Sequence, residues 1–287
     1  MRTWTTEKED SIMLDVVIIL AAVLLALELI LSLALRCRRS NTHLAALRGW
    51  RYAHRGFHDK PQIPENSLPA FRRAVAHGFG AELDVHLLRD GTLAVFHDSD
   101  LMRCTGAEGI LEDLTLEQIK SLRLEGTEEQ IPLLDEVLAL FEGKAPLIIE
   151  LKAYKNNQRA LAEAVLRRLD SYRGEFCIES FDPFVLIAVK KLRPDICRGQ
   201  LSKNFVRDPN GLPPLLRVLC TNLVFNFLTV PDFIAYEFDA RSNRCLRRCV
   251  RLWGAQEVSW TIRRRQDLLD CERDGCIPIF ECFDPDA

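Results

Sequence analysis

Glu82 and Asp84 stand two residues apart, and thirteen positions beyond Asp84 the chain places His97. Between them lies Asp90-Gly91, flanked by alternating apolar residues. Asp-Gly favours a two-residue type I′ hairpin loop, whose central residues both take positive φ. Such a loop pairs Arg89 with Thr92 and, counted outward, Asp84 with His97. Directly opposed residues share a face, with Cβ atoms roughly 5 Å apart, and Glu82 points the same way because side chains two apart on a strand do so. The turn therefore predicts two acids and an imidazole on one surface, the beginning of a hydrolytic site. A three-residue loop would shift the register by one and turn His97 to the other face. The plain alternative is a charged solvent face on an ordinary hairpin.

Two further segments carry polar residues where a strand gives way to a loop. Arg51-Tyr52-Ala53-His54-Arg55-Gly56 runs from a strand start into a turn, and in Pro64-Glu65-Asn66-Ser67 the serine is placed to cap a helix containing Ala70, Phe71 and Ala74, closed by Gly78. Leu147-Ile148-Ile149-Glu150-Leu151-Lys152 reads as a parallel-sheet strand buried on both faces, yet it ends in two charges at i, i+2. Buried charges are costly unless paired or bound to a ligand. A structural Glu150–Lys152 pair and a ligand site are both consistent with that spacing.

In motif order and spacing, the stretch from about Tyr52 to Trp260 resembles the glycerophosphodiester phosphodiesterases. The matching pieces are His54-Arg55-Gly56, Glu65-Asn66, Glu82-Leu83-Asp84, Asp90-Gly91 with His97-Asp98, Ile131-Pro132-Leu133, Glu150-Leu151-Lys152, Ser180-Phe181 and Trp260-Thr261. Each is weak alone; the ordered set is specific. The resemblance implies a (β/α)8 TIM barrel with an insertion after the second strand and a divalent metal holding a phosphodiester. It implies metal ligands at Glu82, Asp84 and Glu150, an acid and a base at His54 and His97, and phosphate contacts at Arg55 and Lys152. Glu65, Asn66 and Trp260 belong to the substrate side of that pattern. Two places depart from it: Arg263 stands where an Asn is usual, and Glu281-Cys282 where the last strand commonly ends in Thr-Asp. These departures bear on the substrate rim near the last two strands.

The chemistry is coherent on its own terms. Three carboxylates converging in a cleft repel one another, and a hard divalent cation keeps all three ionised. All-oxygen ligation points to Mg²⁺ or Ca²⁺ rather than zinc. The cation, Arg55 and Lys152 would neutralise phosphoryl oxygens as charge builds in the transition state, and two histidines can divide the proton transfers. His58 and His77 are weaker candidates near this region, His86 reads as peripheral, and Trp260 as either core or a pocket wall. Expected substrates are glycerophosphodiesters, giving glycerol phosphate and an alcohol, or lysophospholipids within a bilayer. A catalytically retired barrel that binds a lipid headgroup or a protein is the alternative of another class, and the retained histidines and carboxylates argue against it.

These residues need a scaffold. Strand candidates at Tyr52–His54, Ala81–Val85, Leu147–Leu151, Phe176–Glu179, Arg198–Leu201, Phe233–Glu237, Val258–Thr261 and Ile277–Phe280 are mostly separated by helical stretches, which predicts a closed parallel α/β barrel over 50–287 with the insertion at about 86–141. Ahead of it lie a tail (1–15), a transmembrane helix (16–35) and a basic linker (36–49). In Val16–Leu35 only Glu28 and Ser32 interrupt the apolar run. Its strongly apolar residues, at about −0.5 kcal/mol each, outweigh about +3 kcal/mol for one carboxylate. The acidic lead-in of Glu7, Glu9 and Asp10, with no small-x-small site after the run, argues against a cleaved signal peptide. Arg36, Arg38, Arg39, Arg48 and Arg51 after the span outnumber Arg2 and Lys8 before it, which predicts a single-pass cell-membrane protein with a cytoplasmic barrel. Ten cysteines without a Cys-x-x-Cys pair read as reduced, buried apolar residues, in keeping with that compartment. A formal net charge of −3 speaks against nucleic acid, and the clusters Arg247, Arg248, Arg251 and Arg263–Arg265 read as solvated faces. Nothing in the sequence speaks to oligomeric state.

Overall fold

The computed structural model describes residues 2–38, 43–208 and 211–287, with side chains from Ile12 onward. Arg39, and the side chains of Arg2, Glu7, Lys8, Glu9 and Asp10, lie outside the described residues. A long helix, α1 (Arg2–Ala34), and a short one, α2 (His43–Leu47), precede strand β1 (Tyr52–Ala53). After α3 (Leu68–Ala76) come the hairpin strands β2 (Gly80–Leu87) and β3 (Leu93–Val95), then α4 (Met102–Thr105), α5 (Leu116–Ile119) and α6 (Leu134–Phe141). Strands and helices then alternate: β4 (Leu147–Leu151), α7 (Gln158–Leu169), β5 (Phe176–Ser180), α8 (Pro183–Leu192), β6 (Arg198–Ser202), α9 (Pro214–Thr221) and α10 (Asn226–Thr229). The chain ends with β7 (Phe233–Glu237), α11 (Arg244–Trp253), β8 (Gln256–Ile262), α12 (Arg265–Arg273) and β9 (Ile277–Phe280).

Strands β1, β2 and β4 to β9 are parallel neighbours, and β1 pairs with both β2 and β9, which closes an eight-stranded TIM barrel. Alternation along each strand sorts its side chains. In β2 and β4 the odd-numbered Leu83, Val85, Leu147, Ile149 and Leu151 face the helices, while Glu82, Asp84, Ile148 and Glu150 fall on the other side and point into the barrel. The lower interior is apolar, filled by Tyr52, Ile148, Cys177, Phe233, Val258 and Ile277, with Leu44 and Leu47 of α2 closing the floor. At Gly199 of β6 a Cβ would overlap the Phe233 ring, so the ring can lie across that strand only because the position is glycine. Polar residues are thereby left to the C-terminal ends of the strands, the end of this fold where active sites form.

Local signals set the helix starts. The Ser67 hydroxyl accepts from Ala70 N and Pro69 follows in the first turn of α3; Asp182 caps α8 ahead of Pro183, and Asn243 caps α11 by accepting from Cys245 N and Leu246 N. The segment after β2 builds a small core of its own from Leu88, Phe96, Leu101, Leu111, Ile119 and Ile131. The barrel resumes at α6, whose Leu134, Val137, Leu138 and Phe141 join the main core, inside the stretch expected as insertion.

The hairpin corrects the expected register. Val85 pairs with Val95 and Leu87 with Leu93, one residue away from the Asp84–His97 pairing. Gly91 N donates to Leu88 O and Leu88 N to Thr92 O, Gly91 has φ +88°, and Asp90 is not among the positive-φ residues. The loop thus has three residues, with glycine in the left-handed position after a tight turn. Asp90 instead uses its carboxylate, which accepts from Thr92 N at 3.1 Å and Leu116 N at 2.8 Å.

Segment Ile12–Ala34 of α1 is long and apolar enough to cross a membrane, with a mean hydropathy of 3.0. Its last turn is used differently: Leu35 is fully buried and Leu31 packs beside it, against Leu246, Cys249 and Trp253 of α11.

Candidate active site

Strand ends and the loops that follow them bring nearly all the expected residues to one place. Ligand oxygens of Glu82, Asp84 and Glu150 lie within 4.8 Å of one another, and all three side chains are buried. Lys152, just past β4, sits between two of them, its Nζ 3.0 Å from Asp84 Oδ1 and 2.8 Å from Glu150 Oε2. The same-strand pair expected as the structural alternative exists, but it also spans to β2. The small cavity at the mouth is lined by His54, Arg55, Glu82, His97, Glu150 and Glu179, with Phe181 and Trp260 as aromatic walls.

Electrostatics show what such crowding does. Burial foremost, then the charges of Asp84 and Glu150, push Glu82 well above the usual carboxylate range. Burial likewise raises Glu150, to about 7, against the pull of Lys152. Asp84 goes the other way: burial is outweighed by Lys152, His97, Arg55 and the 2.8 Å hydrogen bond from Asn66 Nδ2. Three convergent buried oxygens, two of them on acids driven toward neutrality by burial and then by one another's charge, form a donor set that fits a hard divalent cation. Glu179, unremarked in the sequence, adds a fourth buried acid on β5; burial and the charges of Glu150 and Asp84 raise it well above normal.

Each histidine is held by a carboxylate at Nδ1. His54 follows β1, its backbone N donating to Phe280 O, and its Nδ1 lies 3.1 Å from Glu281 Oε1 while Nε2 lies 3.9 Å from Glu82. His97 Nδ1 lies 2.5 Å from Asp98 Oδ1. Burial, then the charge of Arg55, pulls His54 down to about 4, and burial also lowers His97. The three-residue loop would turn His97 away if the strand continued, but the ladder ends at Val95. Phe96 N still donates to Asp84 O, and the chain then bends so that His97 faces the cavity. His86 supports that bend. It is buried, with Nδ1 2.7 Å from Glu112 and Nε2 3.2 Å from the His97 carbonyl, so the residue read as peripheral holds the backbone of one at the centre.

The His-Arg-Gly turn explains Arg55. Both Arg55 and Gly56 take positive φ, which folds the backbone so that Arg55 N donates to Glu82 Oε2 at 3.0 Å and its side chain reaches Glu65 Oε1 at 2.9 Å. Glu65 and Asn66 stand behind the cavity rather than on its wall: Glu65 faces Arg55, Arg103 and Lys60, and Asn66 holds Asp84. Both were expected on the substrate side. Trp260 lines the cavity, its ring 5.6 Å from Phe181, and its buried Nε1 has no hydrogen-bond partner among the described residues.

The two departures at the rim meet each other. Glu281 Oε2 accepts from Arg263 Nη2 at 2.9 Å and Nε at 3.1 Å, while Oε1 faces His54 and, at 3.3 Å, His58. Burial raises Glu281, but those two histidines and the Arg263 charge outweigh it and hold the carboxyl far below the ordinary range. No periodicity or motif signals the contacts of Glu281 with His54 and His58, because they join residues more than 220 positions apart in sequence.

Residues 54–280 match the profile of the Glycerophosphoryl diester phosphodiesterase family. A glycerophosphodiester phosphodiesterase of Caldanaerobacter subterraneus is 33% identical over 227 residues, spanning 75% of this chain and 86% of its own. Glycerophosphodiester phosphodiesterase 1 of Bos taurus is 42% identical, spanning 73% of this chain and 70% of its own. In fold, the chain is similar to an Oleispira antarctica phosphodiesterase solved with the product sn-glycerol-3-phosphate, at a TM-score of 0.67 and 23% identity over 83% of this chain and 94% of the other. The barrel, the clustered acids and histidines at its mouth, and these likenesses together place the chain in the glycerophosphoryl diester phosphodiesterase family.

Proposed function

We propose that the protein hydrolyses glycerophosphodiesters to glycerol phosphate and an alcohol, dependent on Mg²⁺ or Ca²⁺ held by Glu82, Asp84 and Glu150. The observation that carries this reading is the convergence of three buried carboxylates with two carboxylate-held imidazoles in one cavity. The bound cation supplies positive charge opposite the phosphoryl oxygens. Arg55 and Lys152 add fixed positive charge at the same edge. With Nδ1 of each histidine engaged, the two Nε2 atoms are left for proton work: one takes a proton from the attacking oxygen, and the other returns one to the alkoxide as the phosphorus–oxygen bond breaks. Trp260 and Phe181 wall the leaving group. The apolar α1 anchors the chain in the cell membrane, and the basic residues after it put the barrel on the cytoplasmic side.

The experiment is glycerophosphocholine turnover by the purified full chain, with Mg²⁺, with Ca²⁺ and after exhaustive chelation, together with thermal shift. Cation should restore activity and raise the transition, by about 2.7 kcal/mol at a hundredfold excess over Kd. His54→Ala and His97→Ala should each lower turnover by roughly 10²-fold or more with little change in melting. Full activity after chelation would favour a metal-free, two-histidine mechanism instead.

A further inference from the structure

The direction in which α1 leaves the barrel has a functional consequence. Trp253 Nε1, at the C-terminal end of α11, donates to Ser32 O at 3.0 Å, and Arg248, five residues earlier in α11, pairs with Glu28 at 2.6 Å. Moving back along α1 thus climbs α11 toward its Asn243 cap, which lies at the catalytic end of the barrel because α11 follows the C-terminal end of β7. Ahead of these contacts, Ile12 to Leu27 are all exposed. Sixteen helical residues at about 1.5 Å each span roughly 24 Å, most of the roughly 30 Å of a bilayer's hydrocarbon core. The helix therefore projects on the side of the mouth.

The barrel surface on that side is also apolar. Val206, Leu215, Leu216 and Val218 are 57, 69, 37 and 48% exposed, and all lie between β6 and the end of α9. The C-terminal end of α9 sits at the barrel rim: Ser202 Oγ donates to Cys220 O, while Tyr236 Oη and Asn243 Nδ2 donate to Thr221 O. Soluble surfaces do not ordinarily gather such a patch. It is continuous with the catalytic cavity through one aromatic step, since Phe205, in the loop before α9, lies 6.0 Å from Phe181 of the cavity wall. Arg207 and Arg217 flank it, a charge suited to anionic headgroups.

We propose that the mouth of the barrel faces the bilayer, that α9 lies in the headgroup–acyl boundary, and that the site takes its phosphodiester from a lipid whose acyl chain stays in the membrane. This rests on the reading of α1 as a membrane anchor and of the barrel as a phosphodiesterase. The occupant of the α9 patch is the lipid surface, and a single-chain lysophospholipid is the substrate class, because its headgroup can rise to the cavity past Phe205 and Phe181 without leaving the bilayer.

The test uses the full chain reconstituted in vesicles of phosphatidylcholine and phosphatidylglycerol, with a photoreactive amino acid in place of Leu215 or, separately, of exposed Arg173 ahead of the N-terminal end of β5. Lipid adducts at position 215 should exceed those at 173 by about tenfold. Equal labelling, no lipid label at 215, or a crosslink from 215 to a second copy of the chain overturns the orientation. In parallel, L215S/L216S/V218S is compared with the unaltered chain on lysophosphatidylcholine in the vesicles and on soluble glycerophosphocholine. The expected result is a fall of about tenfold in kcat/KM on the lipid and a change of no more than about twofold on the soluble diester. Equal falls on both, or none, overturn the proposal. Hydrolysis of glycerophosphocholine alone by the unaltered chain overturns the lipid-substrate class and leaves the phosphodiesterase reading intact, whereas hydrolysis of neither overturns both.

Discussion

At the scale of single residues, the active end of this barrel is a set of charges that hold one another in place, and Glu281 shows how far such a contact reaches. It orients His54, accepts from Arg263 and faces His58, and among the described residues it makes no hydrogen bond to the three clustered acids. Its charge raises the affinity of His54 for a proton against burial and Arg55. Glu281→Gln keeps the shape and removes the charge, so the His54 pKa should fall further. In a profile of kcat/KM against pH the limb that His54 sets should move to lower pH, and kcat should drop by about tenfold with KM little changed. A profile identical to the unaltered enzyme would reduce Glu281 to a structural role. Glu281→Asp, which keeps the charge on a shorter arm, should recover part of the lost kcat.

At the scale of elements, Glu65 ties the segment after β2 to the barrel. It faces Arg55 of the β1 turn, Arg103 of α4 and Lys60, and although burial raises its pKa, those three cations hold it well below normal. A carboxyl whose folded-state pKa lies under its unfolded value stabilises fully above the unfolded value of roughly 4.3, and that stability is lost as pH falls below it. Melting temperature should therefore drop steeply as pH falls below about 4, and the slope should flatten in Glu65→Gln; parallel slopes would show that the network contributes nothing. The hairpin makes a second case. Gly91→Ala forces a Cβ into a left-handed position, costing about 1 kcal/mol, or about 2–4 °C in melting for a domain of this size. Turnover should survive it, because His97 is placed by Asp98 and His86 beyond the ladder and not by the hairpin register. A loss of turnover as large as that of His97→Ala would return control of His97 to the loop.

At the scale of the molecule, one apolar helix sits beside a barrel whose α11 flank receives it. Fully buried Leu35 and partly buried Leu31 pack against α11 and fix the end of α1 to the barrel. The proposed topology puts the basic flank after the span on the cytoplasmic side, so protease added to intact cells should leave the barrel whole, and protease added to inverted vesicles should degrade it. Cleavage from outside would reverse the topology and demand another account of the ten free cysteines, of which Cys282 is exposed.

The sequence by itself determined the architecture, because both signals that specify it are local. Strand candidates such as Leu147–Leu151 and Ile277–Phe280 coincide with β4 and β9, and Ser67 caps the helix it was expected to cap. Alternation with period two needs only neighbouring residues to be read. The clustering of Glu82, Asp84, Glu150, His54 and His97 was legible through motif order, whereas the hairpin derivation for His97 failed by one residue: Asp90 bonds Leu116 N, a partner 26 positions away, and the loop takes a third residue. Tertiary structure alone decided the rest. That Glu65 stands behind Arg55, that Glu281 holds His54, that Glu179 is a fourth buried acid, and that α1 and the apolar face of α9 lie on the side of the mouth all follow from closing the barrel. Closure joins β9 to β1 and sets side by side residues that the chain keeps far apart, and no periodicity along the sequence encodes such a distance.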